Sequence, residues 1–186
     1  MDVFLRKIRN GIDLLNARIG RAVSWLTLAL VILVCINVVM RYVFSISLKW
    51  ENELEWHIFS LIFLLAGGYS LLEDKHVSVD VFYTKFSPRN KALTDFVGTL
   101  IFLLPWSAII IYYSFWFFLD SYQLGEGSPD PGGLKAWYWI KLAIPLGFSL
   151  LFLQGVSMLI KAYLALSTGD YSEYINKSDI HQNEKI

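Results

Sequence analysis

Charged residues are absent from Ala22 to Met40 and again from Phe96 to Leu119. Each run reaches the roughly 20 residues that a helix needs to cross a ~30 Å hydrocarbon core. Leu142 to Ile160 is also uncharged, with Lys141 just before it, and Ile58 to Leu72 becomes long enough once Trp56 and His57 are placed in an interface. The pattern predicts an all-α membrane protein with four transmembrane helices, at about 22–44, 48–73, 88–120 and 136–163. These spans make a membrane domain over 21–163, followed by a polar tail over 164–186. A secretory signal is the competing reading of the first run. That run is longer than a usual signal core, ends on Arg41 and lacks a small-x-small cleavage site, so a span is expected.

Ahead of the first span, in residues 1–20, Leu5, Ile8, Ile12, Leu15 and Ile19 recur at spacings of three and four. With basic residues alongside, this face predicts an amphipathic interfacial helix lying on the membrane rather than a cytosolic packing helix. Val79, Phe82, Tyr83 and Phe86 have helical spacing, while Val77, Val79 and Val81 suit a strand. A lone strand at a membrane surface would leave its backbone edge unpaired, so a short surface helix is expected. Ser87 and Pro88 form an N-cap and a favoured first helical position for the third helix. GEGSPDPGG, from Gly125 to Gly133, cannot propagate a helix and predicts a loop, followed by an aromatic belt of Trp137, Tyr138 and Trp139.

The first hairpin is tight, so its helices are antiparallel neighbours. Glu51, Glu53 and Glu55 then fall in the first turns of the second helix, where carboxylates complement the positive end of the dipole. Arg41, just across the hairpin, is their expected ion-pair partner. Asn37 belongs to the outer third of its span and Gln154 to the inner half of its own, so the two amides should not bond each other. Gly67, Gly68 and Tyr69 fall at the depth of Gln154.

Composition agrees with the pattern: 55% hydrophobic and 16% aromatic residues exceed what a soluble fold of this size carries. Charge is balanced at 16 basic and 16 acidic residues, so nothing argues for nucleic acid. Its placement is informative. Arg6, Lys7, Arg9, Arg18, Arg21, Lys75, Lys85, Arg89, Lys91, Lys161, Lys177 and Lys185 share one side, against Arg41, Lys49, Lys135 and Lys141 on the other. The positive-inside rule puts both termini in the cytoplasm.

Cys35 is alone, and His57, His76 and His181 are too far apart along the topology to clamp one metal or haem. No phosphate loop or nucleophile-base grouping is present, so no enzyme activity, cofactor or metal is expected. The two halves show no internal repeat, and only Pro105 and Pro145 offer kinks, which suits a scaffold better than a self-sufficient carrier.

RYVFSISLKWENELEWHIF, then GGYSLLEDKHVSVDVF, and later GEGSPDPGGLKAWYWIKLAIPLGFSLLFLQG, strongly resemble the small membrane subunit (Q-type) of tripartite ATP-independent periplasmic (TRAP) transporters, over about Asn37 to Gly155. The specific pieces are Arg41 closing helix 1, Trp50 with Glu53 and Leu54 opening helix 2, His76 with Asp80 after it, and Pro145 with Gly147 in helix 4. The branch most similar is that of mannitol, chloroaromatic and 2-oxoacid systems. The resemblance implies sodium-coupled uptake in a bacterial inner membrane with two partners. These are a soluble periplasmic substrate-binding protein and a large, many-span membrane subunit that works as an elevator and holds the substrate and sodium sites. The small subunit would brace the immobile scaffold and help dock the binding protein. Arg41, Trp50, Glu51, Glu53, His76, Asp80, Pro145 and Gly147 are then partner-interface or structural candidates. A membrane redox subunit and an independent carrier or channel are the alternatives; haem absorbance and uptake by the chain alone would reveal them.

Overall fold

The computed structural model describes residues 2–73 and 86–174. In chain order it contains α1 (Asp2–Val43), α2 (Lys49–Leu72), α3 (Pro88–Gly98), a π-helical turn (Thr99–Leu103), α4 (Leu104–Gln123), α5 (Tyr138–Thr168) and a 3₁₀ turn (Ser172–Tyr174). Four helical stretches are long and apolar enough to cross a membrane: Asp2–Val43, Lys49–Leu72, Pro88–Gln123 and Tyr138–Thr168. The segment 74–85, with its helix-or-strand question and with His76 and Asp80, lies outside the described residues, as does His181.

The structure joins the amphipathic segment and the first span into one uninterrupted 42-residue helix. The face that packs is not the apolar stripe but its polar neighbour. Asn16, Gly20 and Val23 are buried, whereas Ile8 and Leu15 of the stripe stay exposed beside it. Gly20 seats against the Tyr69 ring of α2. The helix stops where Ser45 takes a left-handed φ of 58°, with the N–H groups of Phe44 and Ile46 returning to the Met40 carbonyl at 3.2 and 3.0 Å.

Ser87 caps α3 as its sequence predicts, its Oγ accepting from Asn90 N–H at 3.3 Å with Pro88 in the first turn. Pro105 has no N–H to offer the carbonyl four residues back. The preceding turn widens instead, Leu104 N–H reaching Thr99 O in the π pattern, and the helix continues into α4. On α4 the buried residues are Ser107, Ser114 and Ser121, seven apart and therefore on one face. Ser107 and Ser114 return their hydroxyl protons to the Leu103 and Ile110 carbonyls, both at 2.6 Å, which lets a small polar residue sit in an apolar contact.

α5 is the centre of the molecule. Over a third of its apolar window (39%) is buried, against 6–11% for the other three spans. It packs on α1, α2, α3 and α4, while α4 makes no substantial contact with α1 or α2. The spans thus form an open arrangement rather than a closed bundle: α1, α2 and α5 pack on one another, and α4 attaches through α5 alone. Small residues permit this: Gly147 abuts the Leu64 backbone and Gly155 abuts Leu103 and Leu104. α5 continues to Thr168, past the expected end of the span, and closes on Gly169, with φ 72° and its N–H on Ala165 O at 3.0 Å. The chain then turns back and buries Tyr174 against Ala92 and Ala165, so the first part of the expected tail is packed.

Candidate functional site

Arg41, Trp50, Glu51 and Glu53 gather at the end of the molecule where α1 meets α2 and where residues 124–137 connect α4 to α5. Glu53 is at the centre and only 6% exposed. Its carboxylate accepts from Ser128 Oγ at 2.5 Å, from Leu134 N–H at 2.6 Å and from Trp137 Nε1 at 3.4 Å. Gly133 lies against both Ser128 and Glu53, where a larger side chain would collide. The second helix therefore pins the Gly-Pro-rich loop through one carboxylate. Trp137 stacks edge-on against Trp56 at 5.5 Å and His57 at 5.9 Å, while His57 Nδ1 is 2.5 Å from the Glu53 carbonyl.

A second clasp holds the foot of the loop. Glu126 pairs with Lys141 and accepts from Ser121 Oγ at 2.6 Å, and Lys141 lies 4.1 Å above the Phe117 ring. The hydrogen bond from Lys141, followed by that from Ser121, holds the Glu126 carboxyl below its ordinary range. Lys49 reaches Asp130 of the loop at 3.5 Å, an exposed pair.

Arg41 corrects the expectation. It forms no ion pair with Glu51, Glu53 or Glu55; its guanidinium donates to Asn52 Oδ1 at 3.0 Å. Glu53 is already engaged by the loop, and Glu55 accepts from Asn37 at 2.6 Å. Asn37 also donates to Asn52 at 3.0 Å, so Arg41, Asn52, Asn37 and Glu55 form one chain of contacts across the hairpin. Glu51 is buried with Oε2 unpartnered among the described residues, and Trp50 is partly exposed. Pro145 and Gly147 are buried in α5, far from this cluster in sequence, and set its approach to α2.

At the opposite end, Gln154 is not a lone amide. It accepts from Asn16 at 2.9 Å and donates to Asp13 at 2.9 Å, and Ser157 donates to the same Asp13 oxygen at 2.5 Å. Asn37 and Gln154 thus take separate partners, as their depths require. Gly68 does approach α5 here, meeting Asn16 and Leu150 O. Arg9 clasps Glu173 at 3.0 and 3.1 Å, tying the start of α1 to the turn after α5. Asp170 caps that turn, and its hydrogen bonds from Ser172 lower its carboxyl pKa. Sequence reasoning missed this polar layer. Its signal was the set Arg9, Asp13, Asn16, Gly20 on one helical face, next to the apolar stripe that drew the eye.

Four apolar spans in an open arrangement, with polar side chains turned onto one another near the helix ends, define a multi-pass helical membrane protein. The profile of the family described as tripartite ATP-independent periplasmic transporters, DctQ component, matches residues 12–164, and the chain belongs to that family. A Haemophilus influenzae protein named as a TRAP transporter small permease is 32% identical over 73 residues. That alignment covers 39% of this chain and 45% of the relative, less than half of either.

Proposed function

We propose that this chain is the small permease subunit of a sodium-coupled TRAP uptake system in a bacterial inner membrane, with both termini cytoplasmic. In this reading the loop-bearing end faces the periplasm and helps dock the substrate-binding protein. The four spans brace the scaffold of the large membrane subunit, and the cargo is an organic acid or related solute. The observation that carries the reading is the open arrangement around α5, in which α4 attaches through α5 alone. It leaves long apolar faces on α1, with Trp25, Leu28 and Ile32 exposed, and on α4, with Trp106, Tyr113 and Trp116 exposed. A shallow apolar groove between α4 and α5, lined by Ile111, Tyr112, Phe115 and Phe152, extends that surface. Faces of this size suit lipid or a membrane partner.

Arg41, Trp50, Glu51, Glu53, His76, Asp80, Pro145 and Gly147 act here in assembly and docking rather than in ion coupling. Apart from Asp13, which lies about three turns inside α1, the described carboxylates lie near helix ends or in loops, whereas a coupling-ion site needs oxygen ligands converging in a dry interior. The test is uptake by the reconstituted three-part complex at varied sodium. Glu51→Gln, Glu53→Gln, Glu55→Gln and Asp80→Asn should alter assembly or maximal uptake and leave the sodium Hill coefficient unchanged. A changed coefficient in an intact complex refutes the bracing role.

A further inference from the structure

The widened turn at Thr99–Leu103 leaves more backbone unsatisfied than a proline alone would. In a regular helix Pro105 strands one carbonyl, that of Ile101. Here Leu104 N–H is spent on Thr99 O, so Leu100 O loses its donor as well. Leu103, the N-cap of α4, takes the first bond of the regular ladder that follows. The carbonyls of Leu100, Ile101 and Phe102 therefore share a single backbone donor, Trp106 N–H, and two of the three stay open. Ser107 cannot help, because its hydroxyl reaches the Leu103 and Leu104 carbonyls, and no other side chain among the described residues donates to the three.

We infer that these open carbonyls form a docking notch for a transmembrane helix of the large membrane subunit, which inserts a side-chain donor: a hydroxyl, a carboxamide or an indole N–H. The inference rests on the reading of this chain as a small permease subunit. α5 closes one side of the turn, where Gly155 abuts Leu103 and Leu104. The other side is open, with Leu100, Ile101 and Phe102 all exposed and Trp106 exposed one turn on.

Depth excludes the other sources of a donor. The charge-free run begins just after Asp95, which places the three residues about 8–10 Å inside it. Acyl chains carry no donor, and the apolar side chains around the turn keep water away, so an open carbonyl at this depth is costly until a neighbouring helix satisfies it. Polar side chains serve as this kind of glue between spanning helices. The exposed aromatic rings of Phe102 and Trp106 flank the notch and add packing surface for the incoming helix.

The test measures binding of the full chain to the purified large subunit in one micelle system. Pro105→Ala restores a backbone N–H, and Leu104→Thr keeps the proline but supplies a hydroxyl to the carbonyls three and four residues back. Each variant satisfies the notch internally, so each should bind the large subunit roughly tenfold more weakly than the parent, with unchanged helicity in the chain alone. A benzoylphenylalanine probe placed at position 101 reads the same contact without altering the backbone: on irradiation in membranes it should cross-link to the large subunit. Parent-like affinity in either variant, or a probe that captures only lipid in an intact complex, overturns the inference and leaves the small-subunit reading standing. A parent chain that does not bind the large subunit at all overturns both.

Discussion

Replacing Gly147 with alanine should destabilise the protein even though alanine is the better helix former. In an open helix interior the exchange gains about 0.8–1.0 kcal/mol. At Gly147, however, a Cβ would lie 2.5 Å from the Leu64 carbonyl oxygen, 2.9 Å from its carbon and 3.0 Å from Leu64 Cβ. Backbone atoms cannot rotate away, so α2 must back off from α5 along their contact. Overpacking of this kind costs about 1–3 kcal/mol, which leaves a net loss of about 0–2 kcal/mol. Gly67 is the control: nothing lies within 4 Å of its Cβ position, so Gly67→Ala should keep the full propensity gain. The two variants carry the same substitution on the two helices that meet, yet they should differ by about 1–3 kcal/mol, roughly five- to 150-fold in the unfolding constant. Gly155→Ala should fall between them, because the atoms it meets are the Leu103 and Leu104 methyl ends, which can turn aside. Equilibrium unfolding in one micelle system measures all three. If Gly147→Ala proves as stable as Gly67→Ala, the close approach of α2 and α5 is not what holds the spans together.

Asn16→Ala and Gln154→Ala, analysed as a double-mutant cycle, should couple by about 0.6 kcal/mol and by no more than ~2 kcal/mol, the range for interhelical polar pairs in membranes; additive effects would refute the contact. Glu53→Gln keeps the shape but replaces one of the two accepting oxygens by an NH2 donor and takes the charge from the other, so the Leu134 amide, held at best by an uncharged oxygen, should exchange its hydrogen faster than in the parent. Unchanged exchange would mean that the loop holds itself. The Glu126 carboxyl titrates below its ordinary 4.5, so its stabilising effect is fully present above that pH and is lost as pH falls through the lowered value. Melting temperature recorded against pH should therefore decline more shallowly below about 4.5 in Glu126→Gln than in the parent.

The spans were legible because charge-free runs are a local property, and so was the start of α3, where Ser87 and Pro88 act on their own turn. What could not be read depends on who meets whom. Glu53 finds Ser128, Leu134 and Trp137 across 75 to 84 residues, a pairing that no spacing rule encodes. The Arg41 expectation fails for the same reason: the hairpin brings Arg41 to the start of α2, but Asn52, between Glu51 and Glu53, takes its guanidinium, and Glu53 has partners in the loop. The stripe Leu5, Ile8, Ile12, Leu15 and Ile19 was visible, yet no break in helicity separates it from the span, since Arg18, Gly20 and Arg21 only change the solvent, not the backbone. The widened turn before Pro105 follows from a missing N–H, which sequence reveals as a possible kink but not as a π turn.

The unbroken α1 also has a rotational meaning. Along 42 residues it runs about 63 Å, roughly twice the hydrocarbon thickness, at a constant phase of 100° per residue. Asn37 near one end faces Asn52 and Glu55, and Asn16 toward the other faces Gln154, through one rigid screw. Inserting a single residue near position 28 would leave either contact attainable but not both, because the far end would turn through about 100°. The azimuth of the amino-terminal segment is thus inherited from the membrane span rather than found by its own docking.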